Sequence, residues 1–298
     1  MYHPLALRIP ARRETIGAYI NLLKPHVTVL LLGTTLASMA VAADGWPGLR
    51  VTLATLLGGA MAAGSANALN CYWDRDIDAL MARTRSRSLP AGRVADSRAL
   101  IFGLALGVGS VSLLATAVNL LSALLALGAI LFYVLIYTMW LKRHTAQNIV
   151  IGGAAGAVPV LVGWAAVTGT LAPLPLCMFL IIFMWTPAHF WALALPLKND
   201  YARAGVPMLP VARGEETTRR QILVYSLLLL ATSLLPVALH GLGLLYLVGA
   251  LLCGLTLVGA ATRLLLVRTV AAARTMFWLS NNYLALLFAL MVLDRVLR

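Results

Sequence analysis

Long apolar stretches alternate with short polar segments along the whole chain of 298 residues. Each apolar stretch has close to the ~20 residues that an α-helix needs to cross about 30 Å of hydrocarbon. The pattern predicts an all-α, polytopic membrane protein with nine transmembrane helices in a single domain, residues 1–298. The predicted spans are 27–43, 51–73, 99–118, 120–140, 148–168, 174–195, 221–239, 242–262 and 276–293.

The composition agrees with a membrane protein. Hydrophobic residues make up 61% of the chain and charged residues only 11%, whereas a soluble domain has about 25% charged residues. The formal net charge of +13 does not indicate nucleic-acid binding, because the cations lie in short segments between apolar stretches. The expected partner of these segments is therefore the lipid bilayer. Cys71, Cys177 and Cys253 are widely separated, which argues against a disulfide framework or a zinc site.

The distribution of cations predicts the orientation in the membrane. If the nine spans alternate in direction, 20 of the 23 Lys and Arg residues fall on one side, and the other three are Arg50, Arg295 and Arg298. Cytoplasmic loops carry such an excess of positive charge. We therefore expect a cell-membrane protein whose N-terminus is cytoplasmic and whose C-terminus lies on the opposite side. The predicted cytoplasmic segments include residues 1–24 and long loops at about 75–98 and 198–220.

Acidic residues at the end of the second span form the first candidate site. Asn70, Asp74 and Asp78 are spaced i, i+4 and i+8, so they drift only about 80° around a helix and share one face. Asp76 falls on roughly the opposite side. Carboxylate and amide oxygens suit Mg²⁺, which also binds substrate phosphates. The alternative interpretation is a solvated helix end with surface acids.

Basic residues near these acids are candidates for binding a diphosphate, because the guanidinium of arginine matches phosphate oxygens in shape and charge. The candidates are Arg83, Arg87, Lys142, Arg143 and Lys198. Asp200, at the end of the sixth span, is expected to face Asp74 and Asp78 as a further catalytic acid and Mg²⁺ ligand. A purely topological role also explains positive charge, but not its concentration beside the carboxylates.

The two long loops contain similar sequences. One reads Leu89-Pro90-Ala91-Gly92-Arg93 and the other Leu209-Pro210-Val211-Ala212-Arg213. The similarity indicates either an internal duplication, with the two loops facing each other, or a chance recurrence of Leu-Pro-x-x-Arg.

Several segments together resemble a known family. Asn70-x3-Asp74-x3-Asp78, followed by Arg83-Thr84-x2-Arg87-x-Leu89-Pro90, is similar to the first signature of the UbiA-type intramembrane prenyltransferases. The closer resemblance is to the branch of the family that farnesylates haem. The segments that resemble this branch are Leu141-Lys142-Arg143-x-Thr145-x2-Asn148, Thr186-Pro187-x-His189-Phe190-Trp191 and Asp200-Tyr201-x2-Ala204-Gly205. These segments cover most of residues 20–215, and the last three spans have no distinctive motif. Many family members carry a second Asp-x3-Asp, whereas here Ala204 follows Asp200.

The resemblance implies a helical bundle around a central apolar cavity, with the active site at its cytoplasmic side. The implied reaction joins farnesyl diphosphate to a vinyl group of haem b, with water, to give haem O and diphosphate. Mg²⁺ is then the cofactor and haem b a substrate. An enzyme that makes haem A or a terminal oxidase is the implied recipient of the product.

Candidates for contact with the haem or the prenyl chain follow from the same resemblance and from position. They are His26, Tyr72, Asn148, His189 and Tyr201. Aromatic faces of Tyr72 and Tyr201 can shield an allylic cation, although aromatic residues also lie at membrane interfaces for other reasons. His189 lies in an apolar span, where a hydrogen-bonded packing histidine is the alternative.

Two other functions remain open at this stage. A prenyltransferase acting on a quinone precursor shares the first signature, but Ala204 and the segment around His189 argue against it. An ion-coupled transporter would also place acids in the membrane. Its acids should lie near the bilayer midplane, whereas Asp74 and Asp78 lie at the edge of a span.

Overall fold

The computed structural model describes residues 15–297, and the predicted N-terminal cations Arg8, Arg12 and Arg13 lie outside this range. Within it, nine helical segments are long and apolar enough to cross a membrane, which confirms the number of spans. The predicted polytopic all-α class is also confirmed. The nine segments are α2 (Pro25–Ala42), α3 (Leu49–Trp73), α5 (Asp96–Ala117), Leu120–His144, α8 (Asn148–Thr168), α9 (Pro173–Ala194), α12 (Gly214–Ala238), α13 (Leu244–Val267) and α14 (Val270–Val296).

Shorter elements join or extend these spans. The segment Leu120–His144 consists of α6 (Leu120–Leu131), a π-helical stretch (Phe132–Leu141) and a final turn, α7 (Lys142–His144). The other short helices are α1 (Ile16–Leu23), α4 (Arg75–Leu80), α10 (Lys198–Arg203) and α11 (Leu209–Ala212).

Two helices begin several residues before the predicted spans. α12 begins at Gly214 and α14 at Val270, because helical structure continues beyond the apolar part of each. The first turns of α12 contain two ion pairs at i,i+4 spacing, which stabilise an exposed helix. These pairs join Arg219 to Glu215 and Arg220 to Glu216. The start of an apolar stretch therefore does not mark the start of these two helices.

Close helix packing joins the two halves of the bundle. α2 packs along α8, and α8 also packs against α9 and the segment containing α6. The hydroxyl of Ser38 donates a hydrogen bond of 2.6 Å to the carbonyl of Val160 across this contact. A Cβ at Gly163 would lie only 2.4 Å from the carbonyl oxygen of Thr35. Small residues therefore allow α2 and α8 to approach closely, as is common in membranes.

The outer surface of the bundle is apolar. Large hydrophobic side chains such as Leu53, Ile101, Val108, Leu252 and Trp278 are exposed on the spans. Water would penalise such a surface, whereas lipid tails accept it. This surface is what a multi-pass membrane protein needs.

Polar contacts gather at the two ends of the bundle. At one end, Asp294 accepts hydrogen bonds from the backbone N–H groups of Gly243 and Tyr246, at the start of α13. At the same end, Asn119 lies in the tight turn between α5 and α6, and its Nδ2 donates a hydrogen bond of 2.7 Å to the carbonyl of Ala165. The other end, here called the charged end, contains the last turn of α3, the first turn of α2, α4, α7 and α10. The candidate site lies at this charged end.

Candidate active site

The chain bends at Asp74 without losing its helical spacing. α3 ends at Trp73 and α4 begins at Arg75. The backbone N–H of Asp74 donates a hydrogen bond of 2.9 Å to the carbonyl of Asn70. The backbone N–H of Asp78 donates one of 2.7 Å to the carbonyl of Asp74. These i,i+4 bonds keep the three side chains in register through the bend.

The predicted common face is present in the structure. Asn70, Asp74 and Asp78 are buried, with 3%, 0% and 2% of their surface exposed. The side chain of Asp76 is instead 60% exposed. The interpretation of the acids as a solvated helix end therefore fits Asp76 alone.

Asp74 lies at the centre of the polar network. Its Oδ2 accepts a hydrogen bond of 2.5 Å from Nζ of Lys142 and one of 2.8 Å from Nδ2 of Asn70. A guanidinium nitrogen of Arg143 lies 3.9 Å from Oδ1. Oδ1 itself is buried and has no hydrogen-bond partner among the described residues. A buried carboxylate oxygen without a hydrogen bond is costly unless a cation or another polar group compensates it.

Two site residues were not found by sequence reasoning. They are Lys24 and Thr138. Nζ of Lys24 donates a hydrogen bond of 2.9 Å to Oδ1 of Asn70, and Nδ2 of Asn70 donates one of 3.0 Å to the hydroxyl of Thr138. Lys24 belongs to the predicted cytoplasmic segment 1–24 and contributes to its positive charge. Thr138 lies in the π-helical stretch Phe132–Leu141, and such distortions are frequent at functional sites. Local spacing signals neither residue, because Lys24 and Thr138 contact Asn70 across 46 and 68 positions.

Arg87 pairs with the second buried acid. Its guanidinium donates 2.8 Å to Oδ2 of Asp78. Burial of Arg87 disfavours its charge, but the neighbouring Asp78 carboxylate outweighs this and raises the arginine pKa. Arg87 therefore remains a cation beside the acids.

The two long loops meet at Arg83 and Tyr201. A guanidinium nitrogen of Arg83 donates 2.8 Å to the hydroxyl of Tyr201, and the guanidinium carbon lies 5.1 Å from the centre of the tyrosine ring. Burial raises the pKa of Tyr201, so the phenol keeps its proton at neutral pH. Ile77 and Met81 pack in the same apolar cluster as Tyr201 and Met208. The predicted approach of the two loops is therefore present.

Asp200 and Lys198 have other partners in this structure. Asp200 is buried and forms an ion pair with Arg203. Lys198 lies 3.4 Å from a carboxylate oxygen of Glu215. Within residues 15–297, Lys198 forms no ion pair with Asp74 or Asp78, whose cationic partners are Lys142, Arg143 and Arg87. Their roles as a metal ligand and a diphosphate cation stay predictions.

Arg143 is held by Asp76. Its two terminal nitrogens donate 2.7 and 2.8 Å to the two carboxylate oxygens of Asp76. These hydrogen bonds lower the pKa of Asp76 to about 2, so the acid is ionised at neutral pH. One nitrogen also donates to the carbonyl of Trp73. Arg143 thus fastens α7 to the bend between α3 and α4, and its contact with a diphosphate stays a prediction.

The remaining predicted residues are spread over the charged end and the interior. His26 is exposed, and the ring of Tyr72 lies 4.6 Å from the guanidinium of Arg75. Asn148 is fully buried. Its Nδ2 donates a hydrogen bond to the carbonyl of Thr145, and its Oδ1 has no hydrogen-bond partner within residues 15–297. Their proposed contacts with substrate remain untested.

His189 lies between two aromatic rings. The ring centres of Trp185 and Phe277 are 4.1 and 4.6 Å from that of His189, and both pairs are stacked. Nδ1 of His189 is 2.8 Å from the hydroxyl of Ser280, which is itself 2.7 Å from the carbonyl of Phe277. If the hydroxyl donates its single proton to the carbonyl of Phe277, Nδ1 carries the proton of the imidazole and Nε2 is the acceptor nitrogen.

The donor set at the charged end fits a divalent cation that is shared with substrate. In the described part of the chain, no group of three His, Cys, Asp or Glu side chains is placed to hold a metal ion. Asp74, Asp78 and Asn70 nevertheless supply hard oxygen atoms, and Oδ1 of Asp74 is buried without a hydrogen bond. Mg²⁺ characteristically binds one or two carboxylates and completes its shell with water and phosphate oxygens. The residues present suit that mode of binding.

Sequence comparison identifies the family. The model of the UbiA prenyltransferase family matches residues 31–282. The chain belongs to this family. It is therefore a prenyl-transferring enzyme, as its motifs predicted.

Curated members of the family are similar over nearly the whole chain. A protein named protoheme IX farnesyltransferase from Synechocystis sp. is 54% identical over 293 residues, covering 96% of this chain and 93% of that protein. Proteins of the same name from Gloeobacter violaceus and Symbiobacterium thermophilum are 51% and 53% identical, and the chain covers 95% of each.

Two solved structures share the fold. A digeranylgeranylglyceryl phosphate synthase superposes with a TM-score of 0.79 at 18% identity, covering 95% of this chain and 99% of that one. A UbiA homologue from Archaeoglobus fulgidus, bound to DMAPP and Mg²⁺, superposes with a TM-score of 0.65 at 16% identity, covering 92% and 98%. The UbiA-like fold predicted from the motifs is confirmed.

Proposed function

We propose that the chain transfers the farnesyl group of farnesyl diphosphate to a vinyl group of haem b, giving haem O and diphosphate. The observation that most supports the reaction type is the buried polar face of Asn70, Asp74 and Asp78 at the end of an apolar helical bundle. Three cations, Lys24, Lys142 and Arg87, contact this face. The identity of the acceptor is supported by the relatives named protoheme IX farnesyltransferase.

The first step breaks the allylic carbon–oxygen bond, and diphosphate leaves with the electron pair. Asp74 and Asp78, with Asn70 and Asp200, would hold Mg²⁺, which neutralises charge on the departing diphosphate. The cations Arg87, Lys142 and Arg83 lie at the same end of the bundle and stabilise the same charge. Arg143 and Lys198 are further candidates once they leave Asp76 and Glu215.

The second step forms a carbon–carbon bond between the haem vinyl group and the farnesyl carbon. Water then adds to the adjacent vinyl carbon and loses a proton, which leaves a hydroxyethylfarnesyl side chain. The allylic cation must be kept from water until the vinyl group attacks. An apolar chamber among the spans serves this purpose, and the rings of Tyr201 and Tyr72 can face the cation.

Haem b would lie in the interior near His189, whose Nε2 can bind iron when Nδ1 carries the imidazole proton. The stacked rings of Trp185 and Phe277 fix the orientation of that imidazole. Neutral imidazole nitrogens are good axial ligands for haem iron. His26 and Asn148 at the charged end are candidates for contact with either substrate.

We place the charged end in the cytoplasm and the C-terminus on the opposite side of the cell membrane. The excess of Lys and Arg at that end supports this orientation. Haem O would then be passed to a terminal oxidase or to an enzyme that makes haem A.

The reaction is tested with the purified protein in detergent, Mg²⁺, farnesyl diphosphate and haem b. We expect haem to gain the mass of a farnesyl group plus a hydroxyl group, as measured by mass spectrometry. The aromatic quinone precursor 4-hydroxybenzoate is the competing acceptor in a parallel reaction. Farnesylation of that acceptor, with no mass gain on haem, would refute the proposal.

A further inference from the structure

A second polar region lies at the charged end, beyond α7. A cleft of about 520 Å³ opens between the turn that follows α7 and the segment that joins α11 to α12. Residues from both sides and from α9 line it: His144, Gln147, Trp191, Arg213, Gln221 and Tyr225. None of the residues assigned above to diphosphate or metal lines this cleft. α7 nevertheless adjoins both regions, since Lys142 contacts Asp74 and His144 faces the cleft.

The cleft favours an anion. Among the residues that the structure describes, no acidic residue lines it. Arg213 contributes a cation, and in the described structure it forms neither an ion pair nor a hydrogen bond with another side chain. Gln147, Gln221 and Thr217 add side chains that can donate hydrogen bonds.

A buried donor in the same cleft lacks a partner. Trp191 is 1% exposed, and its Nε1 has no hydrogen-bond acceptor among the described residues. An indole N–H can only donate, and a buried donor without an acceptor costs free energy. An incoming oxygen acceptor would remove that cost.

The walls of the cleft are apolar and aromatic as well as polar. Trp191 packs edge-on against Tyr225, with ring centres 5.4 Å apart. Pro207 and Leu209 complete the apolar side. A flat amphipathic molecule with ionised groups at one edge would match both parts, because its charges remain at the water-facing end.

We propose that this cleft binds the carboxylates of the acceptor, with Arg213 as their cationic partner and the indole N–H of Trp191 as a buried donor. The inference rests on the proposed function, under which these carboxylates are the two propionates of haem b. A planar guanidinium can bind a carboxylate through two parallel hydrogen bonds. The vinyl groups at the opposite edge of the porphyrin are then directed away from Arg213.

The test compares haem b with its propionate dimethyl ester as acceptors for the full-length protein at saturating farnesyl diphosphate. For the wild-type protein we expect the KM of the ester to exceed that of haem b by about tenfold or more, from loss of a charged hydrogen bond. In Arg213→Gln the KM of haem b should rise towards that of the ester. In the same variant, the KM of the ester, the KM of farnesyl diphosphate and kcat should stay within about threefold of their wild-type values.

Arg220→Gln is the matched control, because Arg220 is an exposed arginine of α12 that pairs with Glu216. It should leave the ester-to-acid ratio of KM unchanged. Trp191→Phe tests the buried donor separately and should raise the KM of haem b with less effect on the ester.

Three results would overturn the inference. Equal KM values for haem b and its ester in the wild-type protein would exclude recognition of the propionates. A rise in the KM of farnesyl diphosphate alone in Arg213→Gln would assign the cleft to the diphosphate. If neither haem b nor the ester is farnesylated, the proposed function fails together with this inference. If both are farnesylated with equal KM values, only this inference is refuted.

Discussion

Replacing Asp74 and Asp76 separately by asparagine distinguishes a buried catalytic acid from a surface acid two residues away. Asp74 is fully buried and accepts a 2.5 Å hydrogen bond from Lys142. Asp76 has a side chain that is 60% exposed and pairs only with Arg143 in the described structure. Both substitutions keep the shape of the side chain and remove one negative charge.

The expected magnitudes differ because the surroundings differ. Removing one partner of a buried ion pair leaves an uncompensated charge and costs about 3–5 kcal/mol. Loss of a group that stabilises developing charge lowers turnover by about a hundredfold or more, each factor of ten being about 1.36 kcal/mol. An exposed ion pair contributes about 0–1 kcal/mol. We therefore expect Asp76→Asn to reduce turnover by less than about fivefold.

The assay measures the initial rate of farnesyl transfer at saturating Mg²⁺ and substrates, with the melting temperature of each purified variant as a control for folding. The double variant Asp74→Asn/Lys142→Gln removes the unpaired cation that Asp74→Asn leaves behind. We expect it to recover part of the lost thermal stability but none of the lost turnover.

Two outcomes would refute this reasoning. Equal losses of turnover in Asp74→Asn and Asp76→Asn would mean that the buried face is not the functional one. Recovery of turnover in the double variant would mean that Asp74 acts only by pairing with Lys142, as a structural ion pair.

Three further predictions concern the metal, the packing and the loop contact. Chelation of divalent cations should abolish farnesyl transfer, and added Mg²⁺ should restore it, as measured by product mass. Gly163→Ala should lower the melting temperature, because its Cβ would meet the Thr35 carbonyl at 2.4 Å, a strain of about 1–3 kcal/mol. Gly156→Ala, with nothing within 4 Å of its Cβ, should not lower it. Tyr201→Phe removes the hydrogen bond from Arg83 but keeps the ring beneath the guanidinium, so the KM of farnesyl diphosphate should rise less than in Tyr201→Ala. Equal effects of the two Tyr201 variants would exclude a role for the ring.

The spans and the buried acidic face could be predicted because each depends on local sequence. An apolar stretch of about 20 residues is itself the requirement for crossing a bilayer. The shared face of Asn70, Asp74 and Asp78 follows from helical periodicity, and it persists through the bend because the i,i+4 backbone bonds do.

The partners of these side chains could not be predicted in the same way. Lys24 reaches Asn70 across 46 positions, and Lys142 reaches Asp74 across 68. Which cation meets which acid depends on how α2, α3 and α7 pack, and no local spacing contains that information. The same limit applies to Lys198, whose partner in the structure is Glu215. It also applies to the imidazole of His189, whose Nδ1 contacts a hydroxyl 91 positions away.

The cations of the site come from separate elements, and this couples the site to the fold. Lys24 precedes α2, Lys142 begins α7, and Arg87 lies in the loop after α4, yet all three meet one face of the α3–α4 segment. Each cation offsets part of the cost of burying Asp74 and Asp78, which would repel each other at the edge of an apolar bundle. A change in helix packing therefore separates these groups as well as reducing stability. Loss of activity in a distant variant such as Gly163→Ala is consequently expected to follow its loss of thermal stability, whereas loss in Asp74→Asn/Lys142→Gln should not.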